Sequence, residues 1–277
     1  MKKVLLCYAL AAFAAFVGCS DASTSGPVIN PPKTYSGDSV HIELGIPTDA
    51  NPSDDFLIWR HQFVISYNPT KGIPNWVSYN LDENWYGEEP RYDGNFISDV
   101  SLPSDFYRVT HDDYTNSGYD RGHMVRSEER TRNREDNKAT FLLTNICPQT
   151  PDLNRGCWLD FEYFCEDLCK KNHKELFIIT GVVSHSNKTL GGLGHVVVPD
   201  SCFKIVVALE KGQSVASLTA FTPVYAVVMP NVSGIRKDDW KKYATTIDKI
   251  EALTGYDFLN WVKESLQSKL EAQVFKS

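Results

Sequence analysis

Apolar and β-branched residues fall into short blocks between turn signals along most of this chain, and the spacing changes to a helical one in a few places. Residues 63–67 are β-branched and aromatic, 68–72 turn, and 76–79 return, which predicts a hairpin. Residues 106–110 and 140–145 are further short strand candidates. Residues 176–181, 195–198, 203–209, 215–221 and 225–229 form a series of apolar runs that reads as a central sheet. Between the two groups, Trp158, Phe161, Cys165 and Leu168 recur at spacings of three and four, predicting an amphipathic helix that ends near Asn172. Residues 239–253 and 259–270 alternate apolar with charged positions at helical spacing, and Gly255 suits a helix stop. There is no internal repeat.

One stretch does not fit a core-building role. Tyr119-Asp120-Arg121-Gly122-His123-Met124 sets an acid, a guanidinium, a glycine and an imidazole in succession, which reads as a site rather than a strand. Taken alone it is equally a polar turn, with Gly122 supplying a positive φ. Some thirty residues on come Thr144-Asn145-Ile146-Cys147-Pro148-Gln149, then Asp152-Leu153-Asn154-Arg155-Gly156-Cys157-Trp158, then Glu162.

With these residues the chain resembles the DNA/RNA non-specific endonuclease family, the sugar-nonspecific nucleases with a ββα-metal active site. The resemblance rests on residues 117–124, on Thr144-Asn145-Ile146 with Pro148-Gln149, and on Leu153-Asn154 with Trp158 and Glu162. It extends upstream to Asn75-Trp76-Val77-Ser78-Tyr79 and Arg91, and downstream to Ile179-Thr180-Gly181 and Glu251-Ala252-Leu253-Thr254-Gly255-Tyr256, covering roughly residues 55–262. It implies an α+β fold, a central and largely antiparallel β-sheet flanked by helices, carrying a ββα-metal motif.

The same resemblance implies the roles. His123 is the base, because an imidazole that titrates near pH ~6.5 can accept a proton at neutral pH. Arg91 is the cation on the scissile phosphate, and Asn154 is the single direct protein ligand of one divalent cation, Mg²⁺ with Mn²⁺ as the substitute. Asn154 also reads as a helix N-cap. Glu162, eight residues on and so about 12 Å further along a helix at ~1.5 Å per residue, would act through metal-bound water. Arg121, Asn145 and Arg126 complete the substrate-binding set, with Arg121 either reaching phosphate or pinning its loop, Asn145 holding backbone or site geometry, and Arg126 suggested only by the local run of basic residues and not by the resemblance. The other six histidines read as surface or satisfied core residues. One departure stands out: Glu166 occupies a position where the family leads one to expect Arg. A carboxylate there should repel a polyanion, so Glu166→Arg is expected to raise cleavage.

Composition adds compartment and charge. At 277 residues, 42% hydrophobic and 23% charged, the chain suits one sizeable domain. Lys2 and Lys3 precede an apolar run over 4–17 that is too short for a spanning helix, and Gly18-Cys19 closes it. Residues 1–19 therefore read as a lipoprotein-type signal with Cys19 acylated, plain secretion or a periplasmic location being the runner-up. Residues 20–54 are expected to be a flexible tether and 55–277 the nuclease domain. No protein partner is inferable. Export would place Cys147, Cys157, Cys165, Cys169 and Cys202 where disulfides can form, with Cys165 and Cys169 either core-facing or bridged. Without Lys2 and Lys3 the chain holds 26 basic and 35 acidic residues, a net charge of −9. A nucleic acid would be repelled overall, so binding needs a local patch. Arg121, Arg126, Arg130, Arg132, Arg134 and Lys138, with Arg91 and Arg155 joining in space, are that patch or else a solvated charged face. Two readings compete with a tethered nuclease: a catalytically inactive surface module that binds nucleic acid or another polyanion, and an exported lipoprotein that binds sugars or peptides. The second leaves the Asp-Arg-Gly-His and Leu-Asn elements without a purpose.

Overall fold

The computed structural model describes residues 38–191 and 194–275. The expected signal over 1–19, with Cys19, lies outside them. In chain order the elements are β1 (Phe56–Trp59), β2 (Val64–Asn68), β3 (Ile73–Leu81), β4 (Asp120–His123), α1 (Arg134–Ala139), β5 (Ile146–Gln149), α2 (Pro151–Asn154), α3 (Cys157–Lys170), β6 (Lys174–Val183), β7 (Ser201–Glu210), β8 (Val224–Pro230), β9 (Ala244–Thr245), α4 (Ile247–Thr254) and α5 (Glu264–Glu271). A 7-stranded antiparallel sheet runs in the order β1-β2-β3-β6-β7-β8-β9, and β4 pairs with β5 in a separate two-stranded ladder. Among the described residues no helix is long and apolar enough to cross a membrane.

The sheet is buried on both faces, which is why its strands read as near-continuous apolar runs rather than alternations. Side chains still divide by parity. Val77, Tyr79, Ile178, Val206 and Ala208 join one core with Met124, Trp158 and Phe161 of the β4-β5-α3 unit. Trp76, Phe177, Ile179, Ile205 and Val207 face the other way, into a second core with Ile247, Ile250 and Leu270 of α4 and α5. Only the first core supports the site.

Several expectations need correcting. Asp120–His123 is itself a strand as well as a site. Residues 106–110 form none: side chains satisfy that stretch, Ser98 Oγ donating to the Val109 carbonyl at 2.8 Å. The strand expected at 140–145 begins later, at Ile146, because 143–145 form a 3-10 turn. Residues 195–198 make one bridge, Thr189 to Val197, and 215–217 are a 3-10 turn capped by Ser214. The helix expected over 239–253 is divided: Thr245 pairs with Ala226 on the sheet edge, and Thr246 then caps α4 through the Lys249 N–H. Gly255 does end α4, at φ 83°.

Order also begins earlier than residue 55. Ile42 and Leu44 are buried, and the His41 ring receives the Asn80 N–H at 3.0 Å and meets the His61 carbonyl at 2.8 Å. The span 38–54 is therefore part of the domain rather than tether. All five cysteines among the described residues are free, so Cys165 and Cys169 are core-facing thiols.

Candidate active site

The short β4-β5 ladder pairs Asp120 with Gln149 and His123 with Ile146, which brings the acid and the imidazole to one rim of the first core. Gly122 is required there by close approach and not by a positive φ. A Cβ on it would lie 2.2 Å from Gln149 Oε1. After β5, Pro151 and Thr150 start α2, and the chain breaks at Arg155-Gly156 before α3. Asn154 and Glu162 are thus on different helices, and the 12 Å separation along a single helix does not apply. Nor is Asn154 an N-cap, since Thr150 and Gly156 hold those positions.

Arg91, Arg121, His123, Arg126, Asn154 and Glu162 all line one open cleft of about 280 Å³, joined by Glu128, Arg155, Leu159 and Tyr163. Asn145 is not among them. It is fully buried, its Oδ1 accepting the Val125 N–H at 3.0 Å and its Nδ2 donating to the Val125 and Thr140 carbonyls. Its place in the substrate-binding set is withdrawn, while the expectation that it holds backbone geometry fits these bonds.

His123 sits between Phe96 and Phe141, with ring centroids 5.3 and 5.1 Å away. No described residue hydrogen-bonds its ring, and Nε2 is buried without a partner. Burial, and then the Arg91 charge, holds its pKa down at about 3, so the imidazole is neutral. Arg91 reaches the cleft from the loop after β3; its guanidinium lies 4.8 Å over Phe141 and bonds Ser127 and Glu128. Arg121 does pin its loop, donating to the His111 carbonyl at 2.7 Å, yet still lines the cleft.

Arg126 is caged. Glu128 at 3.2 Å, Glu162 at 3.8 Å and Glu166 at 2.8 Å surround its guanidinium, which stacks 4.7 Å from the Tyr163 ring. Arg130 is wholly buried, donating to the Gln62 and Asn80 carbonyls, so it belongs to no phosphate patch. Arg155 does join the cleft, paired with Asp120 at 2.6 Å.

One functional candidate, Lys204, and the role of another, the motif acid Asp120, escaped the sequence reading. Asp120 Oδ2 accepts from Asn154 Nδ2 at 2.9 Å, which commits the amide nitrogen and turns the other amide atom, Oδ1, into one that could hold a cation. Lys204, fully buried in β7, points its Nζ at Glu162 Oε1, 3.5 Å away, and lies 4.7 Å over Trp158. A lysine inside an apolar strand run was the available signal. Burial still outweighs Lys204 and raises the Glu162 pKa to about 7. An amide oxygen and a carboxylate, with no thiol or second imidazole in the cleft, suit a hard cation that keeps most of its water.

A seven-stranded antiparallel sheet bearing a strand–strand–helix unit, with imidazole, amide and carboxylate converging on one cleft, defines a ββα-metal nuclease. The chain belongs to the DNA/RNA non-specific endonuclease family, whose sequence model matches residues 42–265. It is similar to a nuclease of Nostoc sp., 42% identical over 266 residues that span 94% of each chain. It is also similar to human endonuclease G, 26% identical over 72% of this chain and 68% of the relative. In fold it matches a chain in the crystal structure of the EndoG/EndoGI complex at a TM-score of 0.70 and 22% identity, covering 82% of this chain and 93% of that one. The protein is an endonuclease of that family.

Proposed function

We propose that the protein hydrolyses phosphodiester bonds in both DNA and RNA with Mg²⁺ as its divalent cation, for which Mn²⁺ can substitute, and with His123 as general base. The observation that carries this reading is a neutral imidazole, unbonded among the described residues, in the same cleft as the Arg91 and Arg121 guanidinium groups and an oriented amide oxygen. His123 accepts the proton of the attacking water, which its low pKa keeps possible throughout the ordinary pH range. Arg91 and Arg121 take the charge of the phosphate oxygens. Asn154 Oδ1 would hold the cation, with Glu162 acting on its water shell, and Asp120 fixes the amide for that task. The bound cation supplies Lewis acidity and relief of negative charge at the leaving oxygen.

Water, not a ribose 2′-hydroxyl, is the nucleophile in this scheme, so both sugars are accepted. The groups lining the cleft are mostly charged and suited to phosphate rather than to base edges, which supports weak sequence preference. An inactive polyanion-binding module would need the arginines but not a free imidazole beside an amide oxygen. The test is cleavage of supercoiled plasmid and of a folded RNA, each with Mg²⁺ and with chelator. His123→Ala should lose about 10²–10⁴-fold on both substrates while still binding them. RNA cleavage that survives in this variant while DNA cleavage vanishes would overturn the assignment of the base. We further propose that the protein is exported and held at the bacterial cell envelope by a lipid on Cys19, which is supported by the apolar run that ends there.

A further inference from the structure

On the sheet face opposite the cleft, three carboxylates converge where α4 meets α5. Asp248 and Glu251 lie three residues apart on α4, and Glu271 is the last residue of α5. One carboxylate oxygen from each lies within 4.8 Å of the other two. Glu271 is 6% exposed, and its Oε1 is buried with no hydrogen-bond partner. Glu251 spends one oxygen on the Phe258 N–H at 2.9 Å, and nearby Asp257 accepts from Gln267 at 3.0 Å. Among the described residues no lysine, arginine or histidine forms an ion pair with any of the three.

Left to itself this arrangement is unfavourable. A buried carboxylate carries a desolvation cost that one hydrogen bond does not cover, and like charges add to it. Burial foremost, and after it the Glu251, Asp248 and Asp257 charges, push Glu271 up to about 7 against a hydrogen bond from Gln267. Its place at the carboxyl end of α5 is wrong for an anion as well, because that end of a helix carries partial negative charge. All these penalties would be removed by one cation.

We propose that Asp248, Glu251 and Glu271 form a Ca²⁺ site that clasps α4 to α5. Oxygens sharing one Ca²⁺ at ~2.3–2.6 Å can lie no more than roughly 5 Å apart, a limit these three meet. The donors are all oxygen, which selects a hard cation. They come from two helices rather than a rigid octahedral cage, and exposed Asp248 leaves room for water, which favours Ca²⁺ over Mg²⁺. The site is structural: it ties the second core together and is separated from the cleft by the sheet.

The test is thermal unfolding of the full protein, first stripped with chelator and then titrated with CaCl₂, alongside Glu271→Gln and Asp248→Asn. Wild type should show a saturable rise of roughly 5 °C or more at a hundredfold excess over Kd, and both variants should lose most of it. In chelator the variants should melt no lower than wild type, since a neutral amide relieves the crowded charge. MgCl₂ at the same concentrations should give a smaller variant-sensitive shift. An equal Ca²⁺ shift in wild type and variants would place the ion elsewhere and overturn the proposal. So would no shift at all, which would mean that Glu271 is simply held protonated. Asp248 is exposed, so Asp248→Asn will fold and can decide the matter alone.

Discussion

Two titrating residues in the cleft have exchanged the pH ranges their types suggest. A free histidine changes charge near pH ~6.5 and a glutamate near ~4.3. Here burial and Arg91 hold His123 at about 3, whereas burial lifts Glu162 to about 7. The sign follows: His123 is uncharged at every pH above about 3, so on the proposed mechanism its protonation does not set the acid limb of activity. Glu162 loses its charge as pH falls below about 7, and cation binding favours the ionised form. The acid limb of kcat/KM should therefore start near 7 at low Mg²⁺, move to lower pH as Mg²⁺ rises, and be missing from the weakly active Glu162→Gln. A limb fixed at pH ~6.5 whatever the Mg²⁺, and present in Glu162→Gln, would return the titration to His123. Glu166 anchors Arg126 at 2.8 Å and Lys170 at 2.8 Å, so Glu166→Arg should lower cleavage rather than raise it. It removes a partner and sets a second guanidinium beside the first. The exchanged pair Arg126→Glu with Glu166→Arg should recover part of the loss, with a coupling of about 1 kcal/mol or more in a double-mutant cycle on kcat/KM.

Among the elements, the β4-β5-α3 unit depends on a residue that touches no substrate. Asn145 ties the turn before β5 to Val125, two residues after His123, and all of its bonds are buried. Asn145→Ala would leave those backbone groups unpaired, at ~1–3 kcal/mol for each buried group that stays unsatisfied. We expect a loss of roughly 2–4 kcal/mol in urea unfolding, with kcat falling more than KM rises because His123 loses its support. The motif residues were legible because charged and amide side chains interrupt apolar spacing, and helix α3 because its apolar stripe repeats over several turns. The long strands β6, β7 and β8 were legible as apolar runs. Two of the four-residue strands were not: Asp120–His123 and Ile146–Gln149 are too short to show a period, and polar side chains hide the first of them. Residues 106–110 had β-forming side chains but no ladder partner, which only the tertiary arrangement decides. The role of Asp120, and Lys204 altogether, escaped for the same reason, since each acts on a residue far away in the chain, Asn154 and Glu162.

For the whole molecule, the acidic balance must coexist with a polyanionic substrate and, on the proposal above, with an anchor. If Cys19 is acylated, Cys19→Ser should shift nuclease activity from the membrane fraction to the soluble one or block processing. Wild-type protein that is soluble and unacylated by mass spectrometry would end that idea. Charge gives the more general prediction. The sequence offered a broad basic patch, but Arg130 is buried in the core, Arg126 is enclosed by carboxylates and Arg155 is paired with Asp120. On the proposed mechanism that leaves Arg121, and Arg91 once its exposed pairing with Glu128 opens, as the main cations for phosphate, with Arg155 as a third wherever substrate displaces Asp120. Each phosphate neutralised on a duplex contributes about −0.9 to the slope of log affinity against log salt, and about −0.7 on a single strand. Two or three contacts therefore predict a slope of roughly −2 to −3, far shallower than for proteins that grip DNA through a basic face. The measurement is duplex binding by His123→Ala, in which cleavage should be slowed about 10²–10⁴-fold, across a NaCl series at fixed Mg²⁺. Removing Arg91 in that background should flatten the slope by about one unit and weaken binding similarly on DNA of any sequence. A slope of −5 or steeper would mean that cations outside the cleft, such as Arg134 and Lys138, carry the substrate, and that the acidic surface is less of a barrier than its net charge implies.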